Sequence, residues 1–110
     1  MRLSTDIWLS ALIRRAEQAG AYATVIRKGD TRGGAVLVKV ADRRAGVFRL
    51  YDESIKPNGE RLWIQPVASV DEPDLDAYAT RAARIDPDVW LVEIDDLQGR
   101  HFLTEAVEKS

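Results

Sequence analysis

The chain has 110 residues, of which 45% are apolar and 31% charged; this is the composition of an ordinary folded protein and excludes a disordered one. It has no cysteine and one histidine, which excludes disulfides, thiolate metal sites, cysteine catalysis and a multi-histidine metal site within one chain. The net charge of −2 conceals a strong polarity, because residues 1–50 carry ten basic against four acidic side chains and residues 51–110 carry six against fourteen. Such a division places a basic and an acidic face on one molecule, or lets the two halves attract each other.

The first predicted element is an amphipathic helix from about Thr5 to Ala19. Ser4 or Thr5 can cap its start, and Gly20 is a suitable stop after its last turn. Apolar residues recur along it at helical spacing and form one stripe: Trp8, Leu9, Leu12, Ile13 and Ala16. The stripe predicts that one side of this helix packs on the core.

Short strands separated by turns follow the first helix. Four are predicted: Ala23–Lys28, Ala35–Val40, Val47–Tyr51 and Arg61–Gln65. In the second of them the valines at 36, 38 and 40 face one side and Lys39 faces the other. The glycine-bearing segment 28–34 and the segment Lys56–Gly59 are turn signals. The four strands are therefore predicted to form an antiparallel meander.

A second helix and a pair of strands complete the predicted elements. Asp71–Asp74 is an acidic, proline-containing helix start, and apolar residues continue at helical spacing to Ile85. Val89–Asp95 and Arg100–Thr104 are predicted to close the chain as a hairpin. The polar tail after Glu105 is expected to fray.

These elements predict an α+β fold, in which an antiparallel β-meander sheet carries two amphipathic helices packed on one face and a C-terminal hairpin. This arrangement buries both helix stripes and leaves the other sheet face partly solvated. The length predicts one domain over residues 1–110. Asp6 and Arg14-Arg15 interrupt the apolar N-terminal run, which export signals avoid, and no stretch approaches the roughly 20 apolar residues of a membrane span. A cytoplasmic protein without a membrane partner is expected.

One candidate site joins His101 to Glu93 and Asp95. His101 is the only side chain whose unperturbed pKa lies near neutrality, and on a hairpin strand opposite Glu93 or Asp95 it could act as a general base. The two carboxylates share a strand face and could also bind a hard cation or share a proton. No nucleophile motif or calcium-loop spacing accompanies them. A strand histidine hydrogen-bonded to a carboxylate and a solvated acidic face are therefore favoured, and no catalytic residue or metal ligand is assigned.

A second candidate site is the basic first half. Lys28 and Arg32 belong to a glycine-bearing loop whose backbone N–H groups could cradle a phosphate, although the loop lacks the P-loop and dinucleotide-binding patterns. With Arg14 and Arg15 they could form a footprint for a phosphate backbone. The isoelectric point near 5.4 and the few aromatic residues in this half argue against nucleic acid. A plain hairpin connection and a solvated basic face are favoured.

Long blocks at both ends and in the middle of the chain carry a family resemblance. They are MRLSTDIWLSALIRR (residues 1–15), GGAVLVKV (33–40), DPDVWLVEIDD (86–96) and GRHFLTE (99–105). Together they resemble domain of unknown function 1491, an uncharacterised alphaproteobacterial family, over the whole chain, with residues 52–70 least distinctive. The resemblance implies a bacterial cytosolic protein and supplies no activity, cofactor or catalytic residue.

Three functions remain open at this point. The favoured one is a small cytosolic non-enzymatic interaction or binding module without a cofactor, which binds a partner protein or forms a homodimer through a sheet edge or through its tryptophans. The tryptophans, at positions 8, 63 and 90, are nevertheless favoured as core anchors. The alternatives are a weak nucleic-acid or nucleotide-phosphate binder that uses the basic N-terminal half, and a small hydrolase or lyase that uses His101 with an acidic partner. The candidate binding residues are Arg14, Arg15, Lys28, Arg32, Glu93, Asp95 and His101.

Overall fold

The computed structural model describes residues 4–109. Residues 1–3, which open the predicted domain and the family resemblance, and residue 110 lie outside the described residues. The helices and strands of the described part are, in chain order, α1 (Thr5–Gln18), β1 (Tyr22–Arg27), β2 (Val36–Asp42), β3 (Val47–Ile55), β4 (Arg61–Gln65), α2 (Glu72–Ile85), β5 (Trp90–Asp95) and β6 (Ala106–Lys109). Neither helix of residues 4–109 has the length and apolar character that crossing a membrane requires.

The six strands form one mixed sheet that is not closed, in the order β1-β5-β2-β3-β4-β6. Strands β2, β3 and β4 pair antiparallel in sequence order, as predicted for a meander. Strand β5 lies between β1 and β2, antiparallel to the first and parallel to the second. Strand β6 pairs parallel with β4. The α+β class is confirmed, and the insertion of β5 separates β1 from the rest of the predicted meander.

The two helices lie on opposite faces of the sheet. Leu12 of α1 packs in one buried cluster with Val38 of β2, whereas Leu75 of α2 packs in another with Leu37. Adjacent residues of a strand point to opposite faces, so the two clusters lie on the two sides of β2. The prediction that both helices pack on one face is wrong, because the β2 segment Val36–Ala41 is buried throughout and needs a cover on each side.

The predicted C-terminal hairpin is also wrong. Residues 100–104 form no strand, because Gly99 and Phe102 adopt positive φ values of 66° and 60°, which an extended strand does not allow. β5 is paired on both sides already, with β1 and β2. The tail that was expected to fray instead supplies β6, whose four residues pair with β4.

Candidate functional site

A groove opens on the α2 face of the sheet, between α2 and the β1–β5 end. Its volume is about 560 Å³. Apolar side chains form much of its lining: Ile26, Leu37, Ala79, Ala83, Val89 and Leu91. Charged and polar side chains line the remainder: Arg27, Lys39, Asp76, Thr80, Arg84 and Glu93. Clefts of this size, with an apolar lining and a few polar groups, are the usual form of a ligand site.

A bulge in β1 supplies two neighbouring side chains to the groove. Val25 is paired with Val92 and Arg27 with Leu91, so Ile26 is an extra residue on β1. Without the bulge, Ile26 and Arg27 would point to opposite sheet faces. Both line the groove, and the side chain of Ile26 is 54% exposed.

One end of the groove is basic. Arg27 donates from Nη2 to the carbonyl oxygen of Pro87 at 3.2 Å. Arg84 lies in the last turn of α2 and is exposed, and no carboxylate of residues 4–109 forms an ion pair with it. This end therefore presents two guanidinium groups that form no ion pair with a carboxylate of residues 4–109.

The other end of the groove holds an ion-pair cluster around Lys39. The ammonium nitrogen of Lys39 lies 2.6 Å from Glu72, 2.8 Å from Asp76 and 3.3 Å from Glu93, although the residue is only 6% exposed. Burial lowers the pKa of Lys39, but the hydrogen bonds to Asp76 and Glu72 outweigh it, so the net effect is a raised pKa. Lys39 thus stays charged and joins β2 to α2 and β5.

Glu93 and Asp95 share a sheet face as predicted, and cations of the first half engage both. Arg43 donates to Glu93 at 3.1 Å and to Asp95 at 2.9 Å. These hydrogen bonds raise the pKa of the Arg43 guanidinium, Asp95 contributing most. Among residues 4–109, no group of three or more acidic or histidine side chains is placed to hold a metal ion. The two carboxylates therefore belong to the ion-pair cluster.

His101 does not face these carboxylates, so its predicted place in a hairpin opposite Glu93 or Asp95 is wrong. Its ring packs edge-on against Tyr51, which belongs to the α1-side cluster, with ring centroids 5.1 Å apart. Its Nδ1 accepts the backbone N–H of Leu103 at 2.9 Å. Burial lowers the pKa of His101, which favours the neutral ring that this hydrogen bond requires.

The four basic candidates lie on two elements, two on α1 and two in the loop between β1 and β2. Arg15 of α1 donates twice to the carbonyl oxygen of Phe102, at 3.2 and 3.0 Å, whereas Arg14 is exposed. Lys28 and Arg32 are exposed in the loop between β1 and β2. This loop connects strands that are not neighbours, so it is not the plain hairpin connection that the sequence favours.

The backbone of this loop is held against the segment before β5. The N–H of Asp30 donates to the carbonyl oxygen of Asp88 at 3.0 Å, and the N–H groups of Gly33 and Gly34 donate to Asp30. A Cβ at Gly34 would lie 2.3 Å from the Asp88 oxygen. The glycines permit this close approach, and these three N–H groups, which could otherwise have contributed to a phosphate cradle, already have acceptors within the chain.

Glu105 has a role that the sequence does not indicate. Its carboxylate accepts the indole N–H of Trp63 at 3.0 Å and that of Trp8 at 3.3 Å. The two indole rings stack with centroids 5.4 Å apart. All three tryptophans are at least 92% buried in the α1-side cluster, so they are core residues as predicted. Glu105 is 42 and 97 residues away from its two donors, so no local sequence pattern could indicate these hydrogen bonds.

Strand β1 is the edge strand at one end of the sheet. The hydrogen bonds of the neighbouring strand β5 show which backbone groups of β1 point toward β5 and which point outward. The N–H of Trp90 donates to Ala35 and that of Asp96 to Ala41, both on the β2 side. Because the backbone groups of successive strand residues point to alternate sides, even-numbered residues of β5 bond to β2 and odd-numbered ones bond to β1.

Two residues of β1 therefore direct their backbone groups outward. Tyr22 and Thr24 are the register partners of odd-numbered β5 residues, so their N–H and C=O groups point into the sheet. Those of Ala23 and Val25 point to the outer edge, where no strand of residues 4–109 is paired. Beside them, Tyr22 is 76% exposed and Val25 is 40% exposed.

Comparison with known proteins agrees with the family resemblance. The family described as "Protein of unknown function (DUF1491)" matches residues 3–104. A crystal structure and an NMR structure of a DUF1491 family protein from Caulobacter crescentus CB15 are each 69% identical in sequence, with TM-scores of 0.94 and 0.92; they cover 97% and 98% of this chain and 100% and 98% of the respective relative. The solution structure of protein Atu0922 from A. tumefaciens is 33% identical, with a TM-score of 0.81, and covers 96% of this chain and 95% of that one. No curated protein matches the chain.

Proposed function

The chain belongs to the DUF1491 family, and we propose that it is a non-enzymatic interaction module that pairs with a second copy of itself through the open edge of β1. The supporting observation is the outward-facing backbone of Ala23 and Val25 on an unpaired strand with exposed apolar side chains. The same proposal assigns the module to the cytoplasm, since a chain without cysteine suits a reducing compartment; cell fractionation checks that assignment.

The register of the pairing follows from the backbone. In an antiparallel pair, two opposite residues exchange both hydrogen bonds only when the backbone N–H and C=O groups of each point toward the other strand. This condition is met when Ala23 lies opposite the partner's Val25 and Val25 lies opposite the partner's Ala23. Each of these two pairs exchanges two hydrogen bonds, which gives four in all, and the two-fold axis passes through Thr24. The N–H of Ala21 is already donated to Ala16, so shifting the register toward the start of β1 loses bonds.

Side chains support the same register. It places Tyr22, which is 76% exposed, beside the partner's Ile26, which is 54% exposed. Aromatic residues opposite β-branched residues are favourable cross-strand pairs, each contributing roughly 0.2–1 kcal/mol. The two-fold axis repeats this contact, so two exposed apolar pairs are covered at once.

The two edges of the sheet differ in how well they are protected. Natural sheets block free edges with charges, short strands or bulges. β6 has only four residues and carries the charged side chain of Glu108. The first five residues of β1 carry no charge or proline, and its bulge lies only at the far end. The lack of protection supports β1 as a pairing edge. The burial of all three tryptophans favours pairing through β1 over a homodimer formed through the tryptophans.

Val25→Pro tests the proposal. The N–H of Val25 points outward, so proline removes two of the four intermolecular donors and no bond between β1 and β5. We expect sedimentation equilibrium over about 10 µM to 1 mM protein to show a monomer–dimer equilibrium for the parent and a monomer for V25P.

Val25→Thr is the matched control. Threonine also removes a valine methyl group but keeps the N–H and the β-branched shape. We expect V25T to dimerise like the parent. A parent that stays monomeric at the highest concentration, or a V25P variant that dimerises as well as V25T, would contradict β1 pairing.

A further inference from the structure

We propose that the groove between α2 and the β1–β5 end binds a small amphipathic carboxylate. Its apolar chain would lie on the groove floor and its carboxylate between Arg27 and Arg84. All of the residues that line this site belong to one copy of the chain, and Ile26 is the one lining residue that also takes part in the pairing proposed for β1.

The floor suits an apolar chain. Leu37 and Val89 are buried beneath the groove, and Ala79 and Ala83 of α2 leave room because their side chains are single methyl groups. Ile26 forms a wall that is half exposed within the single chain. An apolar ligand would remove this surface from water, at about 25 cal/mol for each Å² buried.

The two arginines are the reason that the proposed ligand carries a negatively charged head group. Guanidinium groups bind carboxylates through paired, charge-assisted hydrogen bonds. Arg84 has no carboxylate partner among residues 4–109, and Arg27 donates a hydrogen bond to a neutral carbonyl oxygen, that of Pro87. A ligand carboxylate between them would give both guanidinium groups an ion-pair partner, which residues 4–109 do not supply.

The opposite end of the groove sets the direction of the ligand. There the two cations Lys39 and Arg43 face four carboxylates, those of Glu72, Asp76, Glu93 and Asp95. The excess of negative charge repels an anionic head. Asp76 and Arg84 are eight residues apart on α2, which is a distance of roughly 12 Å along the helix axis. A medium-length chain such as that of octanoate can extend along this distance.

Titration with octanoate, followed by amide chemical shifts in ¹⁵N-labelled protein, tests the site. We expect saturable shifts concentrated at the groove residues of α2, β5 and the β1 bulge. Removal of one charged hydrogen-bond donor by Arg84→Gln or Arg27→Gln should weaken binding about three- to tenfold. Octanol, which lacks the charge, should bind more weakly than octanoate to the parent.

Arg81→Gln is the matched control on the same helix. Arg81 lies over the ring of Tyr78, 6.0 Å from its centroid, and does not line this groove. R81Q should bind octanoate like the parent. V25P, which is expected to be monomeric, should still give saturable octanoate shifts, so that loss of pairing and loss of ligand binding can be told apart. Absence of saturable shifts, equal weakening by R81Q and R84Q, or equal binding of octanol would overturn the carboxylate site.

Discussion

Glu105 connects two tryptophans of the α1-side cluster. Its hydrogen bonds to Trp8 and Trp63 attach the segment before β6 to both α1 and β4. The guanidinium of Arg61 lies 4.9 Å from the ring centroid of Trp8, on the same indole pair. Burial raises the pKa of Glu105, but the hydrogen bonds from Trp63 and Trp8 outweigh it and leave a lowered pKa. The carboxylate is therefore held in its charged form.

Replacing Glu105 by alanine should destabilise the protein by about 1–3 kcal/mol, because the N–H of Trp63 is left without an acceptor in a fully buried ring. Urea unfolding followed by tryptophan fluorescence measures this loss. Glu105→Gln keeps an amide oxygen as an acceptor and should cost less than alanine. Equal stability of E105A and the parent would show that the indole hydrogen bonds contribute nothing.

The same contact predicts a pH dependence. A carboxyl group with a lowered pKa in the folded state stabilises the fold at pH values above its ordinary pKa, and that contribution is lost as the pH falls through the folded pKa. The stability difference between the parent and E105Q should therefore shrink as the pH falls below about 4.5. A difference that stays constant down to pH 3 would contradict this role.

At the scale of elements, α2 is attached to the sheet by a buried cation as well as by apolar packing. The alternation in β2 correctly predicts that Lys39 faces away from the neighbouring valines, and that face was expected to be partly solvated. The structure instead covers it with α2, whose residues Glu72 and Asp76 reach the ammonium group. The pattern of one strand identifies its two sides, but it cannot identify the helix that packs on each.

Lys39→Met should destabilise the fold strongly. Methionine fits the aliphatic part of the site but leaves Glu72, Asp76 and Glu93 without their shared cation. Removing one partner of a buried ion pair costs about 3–5 kcal/mol, and the lower end applies here because Asp76 stays half exposed. Urea unfolding of K39M at neutral pH measures the loss.

Lys56→Met is the matched control, since Lys56 and Glu60 form an exposed pair 4.0 Å apart whose contribution should lie below about 1 kcal/mol. If K39M lost no more stability than K56M, the ion-pair cluster around Lys39 would contribute no more to the free energy of unfolding than an exposed ion pair does.

Local sequence patterns predicted the elements better than their pairing. The limits of β4 agree with the prediction and α1 differs by one residue at its end, because apolar spacing and flanking turn residues are local properties. β6 was missed because it has only four residues, two of which are charged, and its pairing with β4 joins segments more than 40 residues apart. The insertion of β5 beside β1 is likewise a long-range event that no local pattern encodes.

At the scale of the whole molecule, the opposite charges of the two halves meet. Lys39 and Arg43 come from the basic half, and the four carboxylates around them come from the acidic half. Of the two arrangements that the charge division allowed, mutual attraction is the one seen at this cluster. The sequence identified Glu93 and Asp95 as a cluster, but their counter-charges are about 50 residues earlier in the chain and could not be assigned. The groove beside them was equally hidden, because β1, β2, β5 and α2 all contribute to it.

The sheet is shared by both buried clusters, which bears on whether residues 1–110 unfold as one domain. Leu37 and Val38 are adjacent on β2 and belong to the α2-side and α1-side clusters respectively. All three tryptophans lie in the α1-side cluster, so their fluorescence reports on that side, whereas circular dichroism reports on both helices. Leu37→Ala should destabilise the protein by about 2–5 kcal/mol.

If the two clusters form one cooperative unit, L37A lowers the fluorescence and circular dichroism midpoints in urea together, although the substitution lies across the sheet from every tryptophan. Val38→Ala, which removes buried methyl groups from the tryptophan side, is the control and should also give coincident transitions. A fluorescence midpoint in L37A that matches the parent, with an earlier loss of helical signal, would mean that α2 and its cluster unfold separately. The prediction of a single domain would then be wrong, since β2 would join two cores that melt independently.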